Sequence, residues 1–164
     1  MKESKFEFQY QVYDDISELN ESDTRLLTKA RSITSEAYAP YSNFHVGAIA
    51  MFTNGKTITG TNQENASFPV GICAERSLLA TAASLFPGQP IDTIAVSYHN
   101  KNNNAESDRP ISPCGMCRQS LQEYEIRVKK PIRLILGGQT GKIIIINSAS
   151  QLLPFAFTPE ELKQ

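Results

Sequence analysis

Apolar positions along this chain recur at two different spacings. Leu26, Leu27, Ala30, Ile33 and Ala37 follow steps of three and four, the period of one helix face. That stripe predicts a helix over residues 23–39, capped by Ser22 and ended by Pro40. A second stripe, Leu78, Leu79, Ala82, Ala83 and Phe86, predicts a helix over 73–86, stopped by Pro87-Gly88. A third helix is expected over 115–124. Between the helices lie shorter apolar runs at 44–52, 57–62, 91–98, 131–136 and 142–146, which read as strands. The 91–98 run is mostly apolar and is expected at the centre of a sheet. Asn54-Gly55 predicts a hairpin turn with positive φ at both residues. Phe6, Phe8, Tyr10 and Val12 alternate with polar residues, as in a half-buried strand or an ordered arm.

Helices alternating with strands give a layered α/β domain. The chain has 164 residues, enough for one domain with a core, and no internal repeat or low-complexity tract divides it. Its formal net charge of −1 argues against strong attraction to nucleic acid or an anionic membrane. The first fourteen residues lack the apolar run of a signal peptide, and no stretch approaches the roughly 18 apolar residues of a membrane span.

The chemistry concentrates in three cysteines, Cys73, Cys114 and Cys117. An odd count fits a metal or thiol site better than a disulfide framework, and reduced thiols point to the cytoplasm. Cys114 and Cys117 are three apart, so on a helix both sulfurs meet one ion, with Pro113 at the helix entry. Cys73 and Glu75 are two apart and reach the same ion only if Cys73 sits at a helix N-terminus. Two helix N-termini then face the metal, and their dipoles favour thiolate. Three thiolates leave one position of a tetrahedral zinc for water. Glu75 is placed to take a proton from that water and give it to a leaving amine, which describes a deamination. Arg76 is placed to offset the negative charge of three thiolates.

These motifs resemble the small zinc-dependent cytidine deaminases that act on free nucleosides. The resemblance rests on Tyr41-Ser42-Asn43-Phe44 with Val46-Gly47-Ala48, on the 62–68 stretch Asn-Gln-Glu-Asn-Ala-Ser-Phe, on Cys73-Ala74-Glu75-Arg76, on the 112–119 stretch Ser-Pro-Cys-Gly-Met-Cys-Arg-Gln, and on Leu152-Leu153-Pro154 with Phe157. It implies a three-layer α-β-α sandwich around a mixed, roughly five-stranded sheet. It implies one Zn²⁺ per subunit on Cys73, Cys114 and Cys117, with Glu75 as the catalytic proton carrier. Asn62 and Glu64 then bind the ribose hydroxyls, the backbone at Ala74 reads the pyrimidine edge, and Phe44, Phe68 and Phe157 line the base. Phe157 is expected to reach a neighbouring subunit in a homotetramer whose sites are completed across subunits. The implied reaction converts cytidine and 2′-deoxycytidine to uridine and 2′-deoxyuridine in pyrimidine salvage. The implied partner is a small nucleoside, with neither nucleic acid nor membrane involved. Residues 1–21 read as an extension before a catalytic domain over 22–164. His45, where many relatives have Pro, and the long 100–108 loop depart from the pattern.

Blander readings compete. The cysteines also suit a structural zinc site, although such sites usually close with four protein ligands. A redox Cys-x-x-Cys pair leaves Cys73 and Glu75 without a role. Glu75 alone reads as an ordinary first-turn acid, Asn62 and Glu64 as turn residues, and Phe44 and Phe68 as core aromatics. Two functional rivals remain: a deaminase of another cytosine nucleoside such as blasticidin S, and a non-catalytic zinc module on the same fold.

Overall fold

The computed structural model describes residues 1–103 and 105–163. Asn104, inside the loop read as long, and Gln164, at the end of the expected domain, lie outside the described residues. The elements are β1 (Tyr10–Tyr13), α1 (Glu21–Ile33), β2 (Phe44–Phe52), β3 (Thr57–Thr61), α2 (Ala74–Leu85), β4 (Ile91–Asn100), α3 (Gly115–Val128), β5 (Arg133–Gly137) and β6 (Ile143–Ile146). They form one mixed sheet in the order β1-β6-β5-β4-β2-β3, with β4 and β5 parallel and the other pairs antiparallel.

The strand alternation builds three layers. Ile94 and Val96 of β4, with Leu134 and Leu136 of β5, pack with Leu78 and Leu79 of α2 and Leu121 and Tyr124 of α3. Ala95 and Ile135 lie between those residues in sequence and face the other side, against Leu26, Leu27 and Ala30 of α1. β4 is buried on both faces, as its apolar composition predicts.

The α-β-α sandwich agrees with expectation, but the sheet has six strands where about five were expected. The added strand is β1, which the extension contributes by pairing antiparallel with β6. The alternating aromatic and aliphatic face is not half-buried: Tyr10 is 55% and Val12 52% exposed, while Tyr13 packs against the cluster that holds Leu26 and Leu27 of α1.

Three local expectations also change. The first helix starts at Glu21, capped by Asn20 rather than Ser22, with the Asn20 amide oxygen accepting from Asp23 N–H at 2.9 Å. It ends at Ile33 and tightens into a 3₁₀ turn at Thr34–Glu36, where the Thr34 hydroxyl bonds back to the Arg31 carbonyl. The β2–β3 turn has positive φ at Gly55 but not at Asn54. There the Asn54 side chain accepts from Lys56 N–H, which stabilises a longer connection over 53–56 with one left-handed glycine. The third helix runs on to Val128, because Tyr124 and Glu125 are buried and Lys129 supplies a left-handed cap. Glu125 accepts hydrogen bonds from the backbone of Ile132, Ala149 and Ser150, tying α3 to β5 and to the tail.

Candidate active site

Cys73 is the N-cap of α2 and Cys114 the N-cap of α3, so two helix N-termini converge. Neither cap side chain bonds the helix backbone, so the positive ends of both helix dipoles stay beside the cluster. Cys117 follows one turn into α3 and is fully buried. The Cys73 and Cys114 sulfurs stand 3.8 Å apart, and those of Cys114 and Cys117 3.4 Å apart. All three ligand atoms lie within 4.8 Å of one another. Sulfurs bonded at about 2.3 Å to one tetrahedral zinc stand about 3.8 Å apart, so this donor set fits that ion.

The cluster is electrostatically polarised. Hydrogen bonds from Cys117 and then Cys114 bring the Cys73 thiol down to about 6. Cys117 shifts up, because its proton is held in the bond to Cys73 and because it is buried. A dication placed among the sulfurs favours loss of the remaining protons. Glu75, in the first turn of α2, is only 6% exposed. Burial pushes its carboxyl above the usual range, with hydrogen bonds from its own N–H and from Cys117 opposing the shift. A carboxyl that holds its proton more tightly than in water is suited to carrying one.

A cavity of about 520 Å³ opens beside Cys73. Its wall brings together Asn62, Glu64, Phe68 and Cys73 from the expected set, and adds Tyr41, Ser42 and Met116. Asn62 uses its side chain to join two strands: its oxygen accepts from Val46 N–H at 2.7 Å and its nitrogen donates to the Phe44 carbonyl at 2.9 Å. One donor and one acceptor position of its amide remain. Glu64 accepts from Tyr41 N–H, Ser42 N–H and the Ser42 hydroxyl. The Ser42 hydroxyl bond is the first cause of a carboxyl held below its ordinary range.

Four expected residues stand elsewhere. Phe44 stacks on Tyr98, with ring centroids 4.9 Å apart, rather than on the cavity wall. Phe157 is 58% exposed on the tail, and Gln119 donates to its carbonyl. The Arg76 guanidinium is 3.9 Å from the Met116 sulfur, and among the described residues no hydrogen bond joins it to a cysteine. Ala74 is fully buried under β3. Ser42 and Met116 received no role from the sequence, although both lie inside quoted motifs. A hydroxyl two residues before Phe44 carries no signal until the fold brings Glu64 beside it.

The seat of α2 is tight. A Cβ on Gly60 would lie 2.6 Å from both the Ala74 carbonyl oxygen and the Leu78 nitrogen. Backbone atoms cannot rotate away, so Gly60→Ala is expected to displace α2 with Cys73 and Glu75. The expected loss is about 2 kcal/mol of stability, read from the urea midpoint, together with reduced turnover. An unchanged midpoint and rate would show that β3 and α2 separate at no cost.

Residues 20–130 match the family model described as the cytidine and deoxycytidylate deaminase zinc-binding region. A cytidine deaminase from Halalkalibacterium halodurans is 38% identical over 137 residues, covering 84% of this chain and 95% of that protein. A blasticidin-S deaminase from Bacillus cereus is 31% identical over 116 residues, 70% of this chain and 77% of that one. The crystal structure of a cytidine deaminase from Burkholderia pseudomallei superposes with a TM-score of 0.70 at 36% identity, covering 85% of this chain and 100% of that chain. The metal that suits the three cysteines is therefore zinc, one per chain. A zinc-binding region matched across most of the sequence, on a fold shared with a solved cytidine deaminase, makes this chain a member of the cytidine and deoxycytidylate deaminase family.

Proposed function

We propose that the chain hydrolytically deaminates cytidine and 2′-deoxycytidine to uridine and 2′-deoxyuridine, releasing ammonia. The observation that carries this reading is a three-cysteine cluster with a buried Glu75 two residues on, beside a cavity that also presents Asn62 and Glu64. Zinc, when bound by Cys73, Cys114 and Cys117, supplies a Lewis acid that makes water nucleophilic near neutral pH. Glu75 takes a proton from the attacking water and returns it to the amine that leaves as ammonia. Its burial keeps bulk water from competing for that proton. Glu64 and Asn62 hold the sugar hydroxyls with their remaining acceptor and donor positions. Ala74 presents backbone to the pyrimidine edge. Arg76 lies close enough to help lower the Cys73 thiol and so moderates the negative charge of the cluster.

Several exposed aromatics support a homotetramer with shared sites. Phe68 is 76% exposed at the cavity, edge-on to Tyr41, and Phe155 and Phe157 are uncovered on the tail. In that assembly Phe68 and Phe157 close over the base, with Phe44 beside the pyrimidine ring. The working unit is a domain over 22–164 behind an extension at 1–21, and its free thiols suit the cytoplasm. Among the described residues no helix is long and apolar enough to cross a membrane.

The test compares ammonia release from cytidine, blasticidin S and a short cytosine oligonucleotide, with zinc quantified in the same preparation. Cytidine is expected to react with kcat/KM in the ordinary enzyme range, roughly 10⁴–10⁸ M⁻¹s⁻¹. Faster reaction of blasticidin S transfers the assignment to an antibiotic nucleoside. Zinc-loaded protein that releases no ammonia from any of the three is a non-catalytic module.

A further inference from the structure

We propose that Asn102, in the loop after β4, is a positioning residue that holds the sugar-binding carboxylate of Glu64 in its productive orientation. The proposal rests on the reading above, in which Glu64 binds a sugar hydroxyl.

Glu64 is half-buried at the cavity wall, and a glutamate left untethered there would sample rotamers that binding must then freeze. Here the carboxylate is fixed in advance. Its Oε2 accepts from Tyr41 N–H at 2.9 Å and Ser42 N–H at 3.2 Å, and its Oε1 accepts from the Ser42 hydroxyl. A carboxylate offers about four acceptor positions, so one remains, on Oε1, for a ligand hydroxyl. All three donors come from Tyr41 and Ser42. The orientation of Glu64 is therefore only as definite as that of the 41–43 turn.

The turn carries one backbone bond of its own, from Asn43 N–H to the Ala39 carbonyl at 3.0 Å, while the Ser42 and Asn43 carbonyls are held from outside it. Asn43 adopts a left-handed conformation with φ of 53°, which asparagine tolerates more readily than most non-glycine residues but which other conformers compete with unless outside bonds enforce it. The loop after β4 supplies that enforcement. The Asn102 side-chain nitrogen donates to the Ser42 carbonyl at 2.8 Å, and its oxygen accepts from the Asn43 side chain at 3.4 Å. Lys101 N–H donates to the Asn43 carbonyl at 2.9 Å. Asn102 is in turn tied to the end of β4, since the Asn100 side-chain oxygen accepts from both its backbone and its side-chain nitrogens, at 3.2 and 2.8 Å. The Ser42 hydroxyl closes the network by accepting from Phe44 N–H at 3.1 Å. A continuous set of hydrogen bonds thus runs from the sheet through Asn100, Asn102 and Ser42 to Glu64. This gives a role to the start of the loop that departs from the family pattern.

The test is steady-state kinetics of the zinc-loaded protein on cytidine and on 3′-deoxycytidine, which lacks the 3′-hydroxyl, the ring hydroxyl that cytidine and 2′-deoxycytidine share and the one assigned to Glu64. Wild type, Asn102→Ala, Glu64→Ala and the double variant are compared. Asn102 is exposed and outside the core, so its alanine variant is expected to fold, which an unchanged urea midpoint checks. Asn102→Ala is expected to raise KM for cytidine by about three- to tenfold with kcat within twofold, the size of one net hydrogen bond. KM for 3′-deoxycytidine should not move. In the Glu64→Ala background the Asn102 change should have no further effect. If Glu64→Ala leaves KM for cytidine unchanged, the sugar-binding reading of Glu64 falls and the brace falls with it. If Glu64→Ala raises that KM while Asn102→Ala does not, or if Asn102→Ala raises KM equally for both nucleosides, the brace alone is overturned.

Discussion

Glu75→Gln is expected to lower kcat on cytidine by roughly 10³- to 10⁴-fold while leaving about one zinc per chain, the upper part of the roughly 10²- to 10⁴-fold typical of a positioned acid–base group. That factor corresponds to about 4–5.5 kcal/mol of lost transition-state stabilisation. Glutamine keeps the size and planarity of the side chain, so packing in the first turn of α2 changes little. It removes the ability to accept and return a proton. Glu75 is nearly inaccessible, and burial holds its carboxyl above the ordinary range, so bulk water has little access to substitute for it. The cysteine cluster is complete without the carboxylate, which is why metal content is expected to survive. The measurement is ammonia release with zinc assayed on the same sample. Turnover within tenfold of wild type would remove Glu75 from the mechanism. Loss of zinc together with activity would make it a structural support of the metal site.

The sequence showed the metal cluster more clearly than it showed the cavity. Cys114-Gly115-Met116-Cys117 carries its geometry in its spacing, because residues three apart on a helix share a face whatever the rest of the chain does. The Cys73–Glu75 spacing required an irregular helix start, and the fold provides one, with Cys73 as the N-cap. The interior strands were legible for a similar reason. β4 is mostly apolar and buried on both faces, and few environments besides the middle of a covered sheet accept such a run. What depended on distant partners was not legible. β1 is set by its pairing with β6, more than 130 residues along the chain, and its own alternation suggested a buried face, yet Tyr10 and Val12 are exposed. Asn54 reads as a left-handed turn residue by composition, yet its side chain caps a longer turn in which only Gly55 is left-handed. The stacking of Phe44 on Tyr98, the cross-strand partner of Val46 two residues on, depends on the pairing of β2 with β4. The role of Asn102 is invisible until β2 and β4 pair, because that pairing brings the loop after β4 to the turn before β2.

Cys117→Ser is expected to abolish zinc retention and deamination together. Serine presents a hydroxyl that does not ionise near neutral pH, in place of a thiol already enclosed by two other sulfurs. The substitution leaves two thiolates, and two are too few to hold the ion against ordinary competition, since catalytic zinc sites keep three protein ligands. Cys117 is also fully buried beneath the cavity, so no outside ligand reaches its position to replace it. The expected result is less than about a tenth of a zinc per chain after dialysis, given that losing even a supporting contact to a ligand costs 10- to 100-fold in affinity. Activity should fall by at least as much as in Glu75→Gln and should not return when zinc is added at micromolar concentration. Cys73→His is the matched control. Histidine is a zinc ligand, the related His-Cys-Cys sites use it, and Cys73 sits at the rim of the cluster where a larger ring has room at the cavity. That variant is expected to keep its zinc. If Cys73→His and Cys117→Ser both retain metal and turnover, the three cysteines do not form the metal site. If both lose the fold, shown by a collapsed urea midpoint in the presence of zinc, the cluster is structural and its fourth position does no chemistry.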